Sequence, residues 1–487
     1  MRRVLAVMIA VSCFGAGRAG AEDGLAGRLE RVEAELAALR EENRTLRDMV
    51  KALAEARLAP LEGKATAVMA TAAPQAVAVA APVPAPPADG GPRIKAGGLY
   101  RLRPEYRNRL RADAAGRTSD AYAGQRARLY LSASTERLQA YVEVQDARNW
   151  GTEASTLSND GNADLHQAYL HLPDMGMSGL SLTAGRQELG YGDERLIGAA
   201  DWLTVGRSFD GGVLRRAWKG GSVDLIGALV NDRRTAARGS GDVVLGGAYA
   251  RLLRGRPGRE LDLYTLNLGD GAGASGESPG LDDSRITTYG FRARFAPASG
   301  PQASFEAAMQ NGHRGPDDHD AHAWAATAGY VFDRRLKPLL RLEWDEATGD
   351  GDPRDARSTE FNNLFPTNHA HYGYADLLGW RNMRALRGTL ALAPRAGHLL
   401  SADVHRFRLR EAGGAWKDAG GEVLGHDPSG AAGRDIGHEL DLLYRFPLRK
   451  QLTILTGYSA FFPGRFARTV RGPGTQHFGY AQALFKF

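Results

Sequence analysis

Ten arginines stand at alternate positions in short runs whose other positions are largely apolar or aromatic. They are Arg101, Arg103, Arg126, Arg128, Arg292, Arg294, Arg341, Arg406, Arg408 and Arg445. A guanidinium keeps its charge, and its planar fork of donors grips carboxylates bidentately. Rings of such side chains around a passage select anions. The competing account is neutralisation by Glu105, Glu143, Glu343, Asp345, Glu439 and Asp441 in lateral ion-pair ladders. Arg292 and Arg294, and Arg406, Arg408 and Arg410, have no acid beside them in their own runs. Acids on neighbouring strands stay open as partners.

The elements that would position these arginines have a period of two. Tyr100, Leu102 and Tyr106 alternate with Arg101, Arg103, Glu105 and Arg107. Leu129 and Leu131 alternate with Arg128, Tyr130 and Ser132, and Val142 and Val144 with Tyr141, Glu143 and Gln145. Phe291, Ala293 and Phe295 oppose Arg292 and Arg294, and Leu340, Leu342 and Trp344 oppose Arg341, Glu343 and Asp345. Phe407 and Leu409 oppose Arg406, Arg408 and Arg410, and Leu440, Leu442, Tyr444 and Phe446 oppose Glu439, Asp441 and Arg445. This is the pattern of strands with one apolar face.

Aromatics near strand ends and a charged opposite face favour a membrane barrel over a soluble sandwich. So does an alternating last strand that ends on Phe487. In lipid such a sheet must close, because an open edge would leave bare N–H and C=O groups. The expected fold is therefore all-β: a large antiparallel transmembrane β-barrel over residues 94–487. At about 20–25 residues per strand and connection it would hold roughly 16–20 strands, an even number. Barrels of about 16–18 strands leave an aqueous channel unless plugged.

The whole chain has 487 residues, a formal charge of +6 and 43% hydrophobic residues. Its mean hydropathy of −0.36 excludes a helical membrane protein but not a barrel with a polar interior. Residues 1–21 read as a signal peptide: Arg2 and Arg3, then apolar Val4–Phe14, then Ala19-Gly20-Ala21. The single cysteine, Cys13, lies inside it, so the mature chain would have no disulfide and no thiol chemistry.

Residues 22–58 are expected to form a periplasmic coiled coil. Leu29, Leu36, Asn43 and Val50 occupy a, and Leu25, Val32, Leu39, Leu46 and Leu53 occupy d. Such a seam, over residues 25–57, implies a homo-oligomer. Residues 59–93 form an Ala/Pro-rich linker whose prolines, Pro74 and Pro82 among them, exclude a membrane helix.

His313, His319 and His322 with the acids of Asp317–Asp320 read as a solvated loop rather than a metal centre. In Asp345–Glu360, Arg354 breaks calcium-loop spacing. The sequence holds no P-loop, HExxH or GxSxG motif, so no enzyme and no cofactor are expected. No nucleic-acid partner is expected either.

Longer ordered motifs add to the pattern. Residues 185–193 (GRQELGYGD) continue through Arg195-Leu196-Ile197-Gly198 and Asp201-Trp202 to residues 206–211 (GRSFDG). Residues 361–369 (FNNLFPTNH) precede Gly373-Tyr374-Ala375-Asp376. Gln145–Gly151 and Gly437–Asp441 fit the same series. Over residues 94–487 the chain resembles the alginate export porin family. That resemblance implies about eighteen strands and an arginine-rich constriction that passes anionic alginate outward. The coiled coil and linker lie outside the family's barrel. Arg186 and Arg207 sit within the motifs and are expected at the constriction or as loop anchors. By parity Arg186 shares the face of Leu182 and Ala184, so an inward position requires its strand to end or a bulge to turn it.

Three functions follow as expectations: export of an anionic polysaccharide, passage of small anions, or an envelope tether whose coiled coil meets peptidoglycan or a periplasmic partner. Lipid of the outer membrane surrounds the barrel in each.

Overall fold

The structure, a computed structural model, describes residues 92–108, 118–152, 163–231, 241–253, 256–352 and 354–487. The expected signal peptide, the coiled coil and nearly all of the linker lie outside the described residues.

The chain from Arg93 onward is strand after strand. The first nine are β1 (Arg93–Asn108), β2 (Ser119–Ser134), β3 (Gln139–Asn149), β4 (Ala163–Leu172), β5 (Leu180–Gln187), β6 (Phe209–Trp218), β7 (Gly221–Asn231), β8 (Val243–Leu252) and β9 (Arg259–Ser275). Then come β10 (Leu281–Phe295), β11 (Gly300–Arg314), β12 (Asp317–Val331), β13 (Leu339–Ala347), the two-residue β14 (Arg357–Ser358), β15 (Met383–Leu392) and β16 (Leu399–Leu409). A small hairpin of β17 (Trp416–Lys417) and β18 (Val423–Gly425) precedes β19 (Asp435–Pro447), β20 (Leu452–Pro463), a short helix Arg465–Arg471 and β21 (Gln476–Lys486).

The main sheet counts nineteen strands, of which β14 is a parallel addition to β12. The other eighteen are antiparallel to their neighbours, and β21 pairs with β1 to close the barrel. Closure removes the edge that lipid could not satisfy. The end that carries Arg93 and Phe487 has short turns, such as 219–220 and 448–451. The opposite end carries 188–208, 348–382 and 410–434. Short turns mark the periplasmic end of such barrels and long loops the extracellular end.

Strand alternation sorts the side chains as pattern reading expects. On β1, Arg101, Arg103 and Glu105 are buried while Tyr100 and Tyr106 are exposed. Leu129 and Leu131 on β2, Leu342 on β13 and Val404 on β16 are each more than half exposed, on the outer wall. Glycine matters at two inward positions. A Cβ on Gly290 or Gly457 would come within 2.4 Å of the Tyr264 or Tyr480 ring. Each ring therefore lies against a bare backbone, which no larger residue would permit.

Three expectations are corrected. Arg406 and Arg408 are exposed on the outer face of β16 with Val404, whereas Phe407 and Leu409 are buried inside. The reason is packing. Towards the extracellular end the interior holds an apolar core that includes Phe361, Tyr372, Trp380, Phe407, Phe461 and Phe466. Full burial of such a side chain contributes roughly 1.5–3 kcal/mol, which fixes the face of the strand. Arg186 also lies outside. Its strand runs on to Gln187 without a bulge, and Arg186 keeps the parity of Ala184 and pairs with Asp210 at 2.8 Å. The histidine segment is not a loop, since β11 and β12 form a tight hairpin around residues 315–316. His319 is buried there, with its ring nitrogens on Gln310 and Ser358.

Candidate functional site in the barrel interior

Two long connections turn inward and meet inside the barrel. Segment 188–208, between β5 and β6, meets segment 359–382, between β14 and β15. Ile197 and Phe365 form a parallel bridge. Gly198 donates its N–H to the Phe365 carbonyl (2.9 Å), Phe365 to Leu196 (2.8 Å), and Thr367 to Glu194 (2.9 Å). Arg207 staples this junction, its Nη1 donating to the carbonyls of Gly198 (2.9 Å), Pro366 (3.0 Å) and Phe365. Burial lowers the Arg207 guanidinium to about 10. Of the two sequence alternatives for Arg207, the geometry is that of a loop anchor.

The β1–β2 arginines receive the same inward loop. Arg101 donates to the carbonyls of Asp201 (2.7 Å) and Leu203 (2.8 Å), and Arg103 to that of Trp202 (2.7 Å). The Arg103 guanidinium also lies 3.7 Å over the Trp202 ring, on which the His369 ring stacks at 3.8 Å. Arg126 pairs with the Asp201 carboxylate at 2.5 Å. Arg128 reaches Glu188 (3.1 Å), Gln145 (2.6 Å) and the Val205 carbonyl (3.1 Å). Burial pushes the Asp201 carboxyl up, but Arg126, Arg101 and Arg128 outweigh it and hold it at about 2.

Across the lumen Arg195, from the inward loop, is the hub of a buried acid cluster. It contacts Glu343 (2.5 Å), Asp345 (3.0 Å) and Glu306 (4.0 Å), and donates to the Tyr372 hydroxyl (2.7 Å). Arg387 holds Asp403 at 2.8 Å and donates to the Ala370 carbonyl (3.2 Å). His371 Nε2–H donates to the Asp193 carbonyl (2.8 Å). Burial, with Arg195 nearby, drops the His371 ring to about 3, so it is neutral.

Arg292 is ringed by Asp193 (2.7 Å), Glu260 (2.7 Å) and Asp262 (2.9 Å), and Arg294 pairs with Glu260 (2.9 Å). Lateral neutralisation therefore holds for these two, with acids supplied by β9 and the inward loop. Arg341 and Arg445 make no ion pair among the described residues.

Below the crossing segments a cavity of about 800 Å³ opens among the periplasmic ends of the strands. Its basic lining is Arg101, Arg126, Arg292, Arg294, Arg445, Lys450 and Lys486. The facing acids are Asp193, Glu194, Asp201 and Glu260. Arg195, Arg387, Lys450 and Lys486 were not singled out from sequence. Arg195 stood within a quoted motif, and Arg387 lies opposite Leu386 and Leu390 on β15, so the alternation there carried the signal. Among the described residues no group of three or more potential ligands converges as a metal site.

A closed eighteen-strand barrel with an apolar outer wall, a charged interior and inward loops defines an outer-membrane barrel of the porin class. The chain belongs to the alginate export family, whose family model matches residues 93–480. Comparison with curated proteins finds no match. Among solved structures it is similar in fold to OccAB4 of Acinetobacter baumannii, at 12% identity and TM-score 0.54, covering 81% of this chain and 98% of that one. It is likewise similar to the outer membrane protein OprD of Pseudomonas aeruginosa, at 12% identity and TM-score 0.52, covering 80% and 91%. OccK11 of the same organism gives 14% identity and TM-score 0.51, covering 80% and 96%.

Proposed function

We propose that this chain is a passive outer-membrane porin whose arginine-bearing lumen exports an anionic, alginate-like polysaccharide. The observation that supports this most is the periplasmic chamber, where seven basic side chains face four acids. A polyanion arriving from the periplasm meets net positive charge before it meets the crossing loops. Clefts of one sign raise the local concentration of counter-charged substrate. Arg341 and Arg445 then act as sites of weak, repeated carboxylate contact, and Arg101, Arg126, Arg292 and Arg294 as buttresses already satisfied by loop carbonyls and acids.

A second reading, a small-anion porin, is favoured by the apolar core that fills much of the extracellular half. The test is single-channel recording of the full chain with uronic-acid oligomers added from the periplasmic side. Transient block by charged oligomers, and none by neutral oligosaccharides of equal length, supports polysaccharide export. Chloride conductance untouched by either supports the small-anion reading. Residues 25–57 would assemble copies of the chain or meet peptidoglycan. Deletion of residues 22–93 then loosens the envelope while leaving conductance unchanged.

A further inference from the structure

The outer wall near the extracellular ends of β15, β16 and β19 departs from the apolar band. One row of direct register partners runs Trp344, Leu386, Arg406, His438, Phe462. In the row above it, Glu346 faces Arg384 and Arg384 faces Arg408. Directly opposed residues lie about 4.5–5.5 Å apart and diagonal ones about 7–8 Å, so these cations form one patch. Arg384 and Arg410 share the single carboxylate of Glu346, at 3.1 and 2.6 Å. Arg410 also meets Glu411. Arg406, Arg408 and His438 are exposed, and no side-chain partner satisfies them among the described residues.

Two arginines directly opposed across a strand pair repel each other unless an anion sits between them. No acid among the described residues does so for Arg408, and Asp435, its register partner, makes no ion pair with it. Height along the wall indicates what could. Below the patch, Leu390, Leu400, Val404 and Leu442 are exposed and aliphatic. From Leu400 to Arg406 the tilted strand runs about 20 Å at about 3.3 Å per residue, a height of roughly 15 Å. Exposed Trp344 and Phe462 flank Arg406 in its row, and such aromatics mark the level of lipid headgroups.

We propose that this patch binds the phosphate groups of an outer-leaflet lipid, with its acyl chains against the leucines below. Arg406 and Arg408 grip phosphate oxygens through their forks, Arg384 is drawn partly off Glu346, and His438 donates from the side. The site faces away from the lumen, so it stands or falls apart from the cargo proposed above.

The test uses the delipidated full chain and phosphatidylcholine vesicles with or without bisphosphorylated lipid A. Heat-modifiable migration of each variant establishes that the barrel is folded. Wild type is expected to bind the lipid-A vesicles about tenfold or more tighter than Arg406→Gln/Arg408→Gln, with Arg406→Lys/Arg408→Lys between them. Equal binding by wild type and the glutamine variant overturns the proposal. So does loss of the lipid-A binding on addition of millimolar inorganic phosphate, which would make the patch a generic anion site rather than a lipid one.

Discussion

On β1 and β2 the arginines point inward and the leucines outward; near the top of β16 the arginines point outward and the phenylalanine inward. Both stretches alternate with the same period and nearly the same residue types. Arg101 and Arg126 face an inward loop that offers bare carbonyls and a carboxylate, so charge belongs inside. Phe407 and Leu409 face an apolar core built around Trp380 and Phe361, so charge belongs outside. A strand's alternation defines two faces; what the loops place inside the barrel decides which face is which.

The sharpest way to break this picture is to remove the hub of the buried cluster. Arg195→Ala leaves Glu306, Glu343 and Asp345 without their shared cation. Stripping one partner from a buried ion pair costs about 3–5 kcal/mol. Urea unfolding of the full barrel should show that loss, and a change below about 1 kcal/mol would mean the cluster behaves like an exposed pair.

Phe407→Ala tests the face assignment on β16 directly. It should cost a comparable amount, about 3–5 kcal/mol. Arg406→Ala, one residue away, should stay within about 0.5 kcal/mol. The reverse ranking would place the arginine inside.

Arg126→Ala should loosen the inward loop rather than the barrel. Losing a charged hydrogen bond to Asp201 is worth about 1.5–3 kcal/mol locally. Hydrogen exchange at residues 199–205 should quicken while the exchange of β1 and β2 stays slow.

His371 gives the most gradual effect, spread over several pH units. Its folded pKa is depressed to about 3 from an ordinary value of about 6.5, so below pH 6.5 the unfolded chain binds the extra proton. The stabilisation is complete above pH 6.5 and declines as pH falls towards 3. His371→Gln keeps a donor for the Asp193 carbonyl and should flatten that part of a stability-versus-pH curve. An unchanged slope would show that another group carries it.

The barrel was legible because lipid and water impose a period of two on every crossing strand. The estimate of 16–20 strands contains the eighteen observed. The inward charges of β1, β2, β10 and β13 follow from the same rule. The crossing of segments 188–208 and 359–382 was not legible, because a loop's inward turn depends on partners far along the chain, 159 residues apart for Arg207 and Pro366. For the same reason the particular three acids that surround Arg292, from two elements, were not legible. The error on β16 has that cause too: Phe407 and Leu409 resemble lipid-facing residues until the core inside is seen.

The claim on which the functional account rests is that net positive charge in the periplasmic chamber favours anions. The reversal potential of the full chain in a planar bilayer under a potassium chloride gradient measures it. Wild type should reverse on the chloride side, and Arg445→Glu/Lys450→Glu, which alters only the chamber wall, should move the potential towards the potassium side. Cation preference in the wild type, or a potential indifferent to that double change, would contradict the account.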